Sequence, residues 1–181
     1  MKKLLALTLS IIITGLSTMA DAKDLENTIY LELEEGRVVI ELLPKVAPNH
    51  VKRIKKLTRE GFYDGIVFHR VIDGFMAQTG DPTGTGMGGS DEPDLDAEFS
   101  NTPHSRGAVS MARSQNPNSA NSQFFICFKD SNFLDGQYTV WGNVTSGMEF
   151  VDKIKKGAAG SGAVDNPDKI ITMQIAADVE K

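Results

Sequence analysis

The sequence predicts a mainly β domain, a closed eight-stranded antiparallel β-barrel capped by two α-helices. Three observations carry this. About eight short runs rich in Val, Ile, Phe and Tyr are separated by hairpin-like turns rather than by the helical crossovers of a parallel sheet. Only two stretches show a helical period. Closure, finally, removes the unpaired edges that a single exposed sheet would leave. A chain of 181 residues, 40% of them hydrophobic, suffices for one such domain with one core.

The first 22 residues stand apart from that fold. Lys2 and Lys3 make a positive start, 4–16 is mostly apolar, and Ala20-Asp21-Ala22 is an A-x-A cleavage site, the pattern of a secretory signal peptide. The apolar run falls short of the roughly 20 residues that span a bilayer, and no second run follows. Cleavage after Ala22 leaves 23–181 as the mature domain. It takes the 19 basic and 24 acidic residues to 17 and 23, and the net charge from −5 to −6. A short leader with a lysine pair suits a bacterial cell, so a periplasmic domain free of the membrane is expected. Its acidity argues against nucleic acid or an anionic membrane as partner, both of which call for a clustered positive field.

In chain order, runs at 28–33 and 37–42 flank the turn Glu34-Glu35-Gly36 and form a hairpin that Pro44 ends. Pro48 suits a first helical turn, Val51, Ile54 and Leu57 recur at every third position, and Gly61 stops the run. Lys52, Arg53, Lys55, Lys56 and Arg59 then form a solvated outer face. Further strand runs lie at 106–113, 123–128, 138–143 and 170–175. Ser146 and Glu149 have capping-box spacing ahead of a second helix through Val151 and Ile154, ended by Gly157.

Several motifs resolve to bland readings. Gly84, Gly86 and Gly89 match G-x-G-x-x-G, but no helix follows to receive phosphates and the next residues carry three carboxylates, so a compact irregular loop is expected. Cys127, the only cysteine, sits among Phe124, Phe125, Ile126 and Phe128 as a buried small hydrophobe. His50, His69 and His104 lack metal-ligand spacing, so no metal is expected. Ser110 lies in no nucleophile elbow, which sets a hydrolase aside.

The stretch 68–78, F-H-R-V-I-D-G-F-M-A-Q, reads as a hairpin carrying one cation. A two-residue loop would set Arg70 opposite Ala77. A three-residue loop, Asp73-Gly74-Phe75, would set it opposite Gln78 with Met76 on the same face, and only that register gathers a guanidinium, an amide and a thioether on one surface. Phe124 and Phe125 must point to opposite faces, so one of them is core.

Read with 107–127 and 133–142, this hairpin closely resembles the cyclophilin family of peptidyl-prolyl cis-trans isomerases, and the resemblance covers nearly all of 23–181. It implies a cofactor-independent rotamase that assists protein folding, acting as a monomer on proline-containing peptides and unfolded exported proteins. By resemblance, Arg70 and Gln78 are catalytic. Phe75, Met76, Phe125 and Leu134 bury the prolyl ring, Gln123, Phe133 and Tyr138 line the site, and the backbone at Ala112 and Arg113 pairs with the peptide. The chain departs from the family at Asp73, where many members have proline, at Phe133, where many have tryptophan, and at Tyr138, often histidine in animal members. Without the tryptophan donor, weak cyclosporin binding is expected. The alternative function is a chaperone that grips X-Pro segments without turnover.

Overall fold

Alternation decides what the sheet buries. In β1 (Thr28–Leu33) and β2 (Gly36–Leu42), Ile29 pairs with Ile40 and Leu31 with Val38, and all four are buried on one face. The computed structural model describes residues 25–180, and the leader expected at 1–22 lies outside them. Beyond the first hairpin come α1 (Pro48–Arg59), β3 (Arg70–Ile72), β4 (Met76–Thr79), β5 (Ala108–Met111), β6 (Phe124–Cys127) and β7 (Val140–Ser146). A short α2 (Met148–Val151), β8 (Thr172–Ile175) and α3 (Ala176–Val179) complete the order. The eight strands form one antiparallel sheet in the order β3-β4-β6-β5-β7-β2-β1-β8.

The sheet curls into a half-barrel whose ladder stops at β3 and β8, so the expected full closure is not made by strand pairing. Single bridges cross the seam, Val67 with Lys169 and Arg70 with Ala163, helped by the Phe68 N–H donating to the Asp168 carbonyl at 2.9 Å. The reason lies in 157–170, whose glycines and Pro167 cannot sustain a ladder. Inside the curl, Phe124, Trp141 and Tyr63 meet edge to face. Val51, Ile54 and Leu57 of α1 close over them from one side.

The helical expectations need correction: three α-helices stand among the described residues where two were expected, and the second ends at Val151 rather than running through Ile154 to Gly157. Ser146 makes no capping box, because β2 claims it as the ladder partner of Val39, and the N-cap of α2 is instead Gly147, with φ +88°. A Cβ there would meet the Arg37 carbonyl oxygen at 2.4 Å, so the close approach of β2 also demands glycine. Nor does Arg53 face water: it is buried and donates to the carbonyls of Pro93 and Asn121. Of the rest of the basic face, Lys55 pairs with Glu26, Lys56 with Glu92 and Arg59 with Glu26 and Asp178, which tethers α3, while Lys52 is exposed.

The N-terminus of α1 is capped from a distance. Ala47 offers no side-chain acceptor, and Glu98 accepts instead from the backbone N–H groups of Asn49 and His50 and from the His50 ring at 2.6 Å. Glu98 in turn donates its own N–H to the hydroxyl oxygen of Thr139, the residue before β7, so one residue joins helix, loop and the approach to that strand. Burial raises its carboxyl, but the His50 ring and the two N–H groups outweigh that and hold it below its ordinary value. Glu98→Ala is expected to cost about 2 kcal/mol in urea unfolding at neutral pH. Because the folded carboxyl is held low, the difference from the parent is complete above pH 4.5 and shrinks as pH falls below it.

Candidate functional site

The hairpin register places the site. β3 pairs with β4 as Arg70 with Gln78, Val71 with Ala77 and Ile72 with Met76, across the three-residue loop Asp73-Gly74-Phe75 in which Gly74 takes φ +65°. β4 then pairs with β6, setting Gln78 opposite Phe125 and Met76 opposite Cys127. Period two sends Ala77, Phe124 and Ile126 into the core and Met76, Phe125 and Cys127 to the outer face. There they form a second apolar cluster with Ala108, Leu134 and Val140, against which Phe75, Ala112 and Tyr138 pack half-buried. Burial pushes the Cys127 thiol up to about 12, so it lies under this cluster as an inert filler.

A directional chain of hydrogen bonds borders the cluster. Arg70 Nη1 donates to Gln78 Oε1 at 3.1 Å, Gln78 Nε2 to Gln123 Oε1 at 2.9 Å, and Gln123 Nε2 to the carbonyls of Gly86 and Gly88 at 3.1 and 2.8 Å. Arg70 Nε donates to the Ser161 carbonyl at 3.2 Å. Among the described residues no carboxylate pairs with Arg70, and its Nη2 amino group has no partner, so a cation with free donors stands beside an apolar hollow. At the rim, Phe133 is 65% exposed and its ring lies 5.4 Å from that of Phe75. Arg113 stacks 4.5 Å over the Tyr138 ring and spends its donors on the carbonyls of Gln137 and Ser114. The structure thus gathers every residue singled out from the sequence on one face. A groove of about 410 Å³ adjoins them, lined in part by Met87, Gly88, Ala112 and Asn121.

The glycine loop is built on a buried anion, not on a helix. Asp81, 1% exposed, accepts from the Thr83 hydroxyl and from the N–H groups of Thr83, Gly86 and Gly88. Burial works against the charge, yet these donors hold the carboxyl down at about 2. A Cβ at Gly88 would lie 2.2 Å from Asp81 Oδ1, so the nest closes only around glycine.

Sequence reasoning missed the support behind Phe125. His104 is fully buried with its ring nearly parallel to that of Phe125, 6.2 Å between centroids, and its ring nitrogens lie 2.9 Å from Asp135 and 3.0 Å from Ser110. The trio has the make-up of a hydrolytic triad. Ser110, however, is 0% exposed and donates to the Thr139 carbonyl, so no nucleophile reaches a substrate. No signal in the sequence links residues 104, 110 and 135. His69 is 8% exposed with neither ring nitrogen bonded, and burial holds it below its ordinary value.

Residues 28–175 match the family described as cyclophilin type peptidyl-prolyl cis-trans isomerase/CLD. The chain is 59% identical over 178 residues to a probable peptidyl-prolyl cis-trans isomerase of Brucella suis biovar 1 (strain 1330), covering 92% of this chain and 91% of that protein. The crystal structure of cyclophilin AquaCyp293 from Hirschia baltica superposes with a TM-score of 0.77 at 30% identity, covering 86% of this chain and 76% of that one. A cyclophilin type peptidyl-prolyl cis-trans isomerase of Cryptosporidium parvum, crystallised in the presence of the dipeptide Ala-Pro, gives 0.75 at 30% identity over 82% of this chain and 98% of its own.

The Asp81 nest makes a stability prediction. Asp81→Ala leaves the Gly86 and Gly88 N–H groups without their acceptor and is expected to cost about 2 to 3 kcal/mol, with faster hydrogen exchange confined first to 83–89. In the parent protein the carboxyl is depressed from 3.8 to about 2, so its contribution is complete above 3.8 and is lost as pH falls through that interval, as acid-dependent thermal unfolding will show.

Proposed function

This chain belongs to the cyclophilin-type peptidyl-prolyl cis-trans isomerases, and we propose that it turns over X-Pro bonds of exported polypeptides in the periplasm, with Arg70 as the catalytic group. One observation carries the assignment of Arg70: a guanidinium with no carboxylate partner among the described residues, held by Gln78 and Ser161, borders an open apolar pocket. The prolyl bond resists rotation by roughly 18 to 20 kcal/mol because the nitrogen lone pair is delocalised into the carbonyl. A hydrogen bond from Arg70 to the prolyl nitrogen as it pyramidalises localises that lone pair, which stabilises the twisted state alone.

The pocket does the rest. Met76, Phe125 and Leu134 bury the prolyl ring, Phe75 and Phe133 shield it at the rim, and Gln78 and Gln123 fix the guanidinium through amides whose orientation is set at both ends. The N–H groups of Met111 and Ala112 are spent on Thr139 and Gln123, so the peptide backbone pairs with the carbonyl of Ala112 and the backbone of Arg113. Bringing isomerisation from tens of seconds to milliseconds takes a factor of about 10⁴, or ~5.5 kcal/mol. One charge-assisted bond in a dry pocket together with orientation is of that size. Proline-containing segments of unfolded exported chains are the substrates, in keeping with the Cryptosporidium relative's crystallisation in the presence of the dipeptide Ala-Pro.

Arg70→Ala is expected to lower kcat/KM on an X-Pro peptide by about 10²-fold or more while peptide binding survives in part. Exchange NMR reads both quantities. Full activity in the folded variant would sink the assignment, whereas lost turnover with intact client protection would favour the chaperone reading. In the parent, kcat/KM should stay nearly flat from about pH 6 to 9, since arginine keeps its charge throughout. Burial also holds His69 beside it below its ordinary value.

Phe133 sits at the exposed rim with no polar group to offer. Weak inhibition by cyclosporin is therefore expected, and Phe133→Trp, which adds an indole N–H, should tighten it by a factor of about 5 to 150 with little change in turnover. A binding titration of both proteins checks it, and tight inhibition of the parent would remove Phe133 from the drug's path.

A further inference from the structure

Arg70 is held from the side away from Gln78 by the 157–163 loop, which the resemblance leaves unassigned. The loop folds back tightly: Ala158 N–H donates to the Ala163 carbonyl and Gly162 N–H to the Ala158 carbonyl, both within 2.9 Å. A Cβ at Gly157 would lie 2.0 Å from the Gly162 carbonyl oxygen, so the two arms meet at a separation only glycine allows. The loop then docks on β3. Val71 N–H donates to the Gly162 carbonyl at 2.7 Å, Gly157 N–H to the Val71 carbonyl at 2.9 Å, and Ala163 bridges to Arg70. Gly162, at φ +75°, lies so close that a Cβ would stand 2.5 Å from Ile72 Cγ1 and 3.2 Å from Arg70 Cγ.

This docking presents the Ser161 carbonyl to Arg70 Nε at 3.2 Å. Gln78 holds Nη1, a different nitrogen of the same planar group, at 3.1 Å. A single bond would leave the guanidinium free to swing about it, and two bonds on different nitrogens fix its plane. The remaining donors are those available to a substrate.

We propose that the 157–163 loop is a positioning device for Arg70, with the Ser161 carbonyl as the second anchor of the guanidinium and Gly162 as the residue that seats it. This rests on the reading of Arg70 as the catalytic group. The loop meets the apolar cluster at Ile72, on its edge, and not at Met76, Phe125 or Leu134, so its loss acts on the rate of rotation more than on capture of the prolyl ring.

The test is Gly162→Ala, whose methyl must push the loop off β3. Expected are a fall in kcat/KM of about tenfold, a peptide dissociation constant unchanged within about twofold, and faster solvent exchange of the Arg70 Nε–H in 15N spectra. In an Arg70→Ala background the same substitution should have no further effect on kcat/KM, because the loop acts only through that side chain. A folded Gly162→Ala protein with unaltered kcat/KM overturns the proposal, as does an equal loss in both backgrounds. Should the variant not fold, the parent decides: an Arg70 Nε–H that exchanges as fast as in free arginine overturns the clamp, and a protected one upholds it. If Arg70→Ala itself leaves kcat/KM intact, the assignment of Arg70 fails; if it lowers kcat/KM and Gly162→Ala does not, only the clamp fails.

Discussion

Everything about the site depends on one hydrogen-bonding register, that of the β3–β4 hairpin. With three residues in the loop, Arg70 stands opposite Gln78 and Gln78 opposite Phe125, so cation, amide and aromatic floor form one row across three strands. A slip of one residue would turn β3 over and send the guanidinium toward the core in place of Val71, whose burial is complete. The cost of an unpaired buried charge rules that out. Burial of Val71 and Ala77 on one face thus selects the arrangement of the opposite face, where Arg70 and Gln78 stand.

The same sheet carries two apolar faces, and this is why a binding pocket lies outside the curl. Most half-buried strands alternate apolar with polar, but β6 is buried at all four positions, Phe124 and Ile126 serving the core and Phe125 and Cys127 the pocket. An outer apolar face needs a backing, and the 3₁₀ turn Asn132–Leu134 with Tyr138 supplies walls while His104 stands behind Phe125. His104 is pinned at both ring nitrogens and at its backbone N–H, which Asp135 also binds. The floor of the pocket is therefore held in place, while Phe133 at the rim and Met87 at the groove are open to solvent.

How legible this was in the sequence varied with the range of the interaction. Of two local loop choices only one register gathered a site, and period two set Phe124 and Phe125 on opposite faces, while the pocket role of Phe125 came from the family resemblance. The glycine run was separable from a phosphate loop because the residues after it oppose a helix. What sequence reading could not reach were contacts between distant segments: Glu98 capping α1 across 49 residues, or Asp135 holding His104 across 31. Ser146 misled for a related reason. Its spacing to Glu149 is right for a cap, but pairing with Val39 more than a hundred residues away takes it into a strand. The seam failed likewise, because hairpin counting says nothing about whether 157–170 can complete a ladder.

The charge balance of the domain sharpens the case for Arg70. The chain carries more carboxylates than cations, and such a chain would ordinarily neutralise a half-buried arginine. Four of the acids in the loops around the sheet are committed elsewhere. Asp81 is wrapped in its own nest, Glu92 binds Lys56, Glu98 caps α1, and Asp135 holds His104. Arg70 is met instead by an amide oxygen and a backbone carbonyl, dipoles that orient a guanidinium without cancelling its charge. A carboxylate in either place would hold Arg70 more tightly and leave less of its positive charge for a prolyl nitrogen. The neutral anchors keep the cation both fixed and electrostatically available, which is what stabilising a charge that appears only in the twisted state requires.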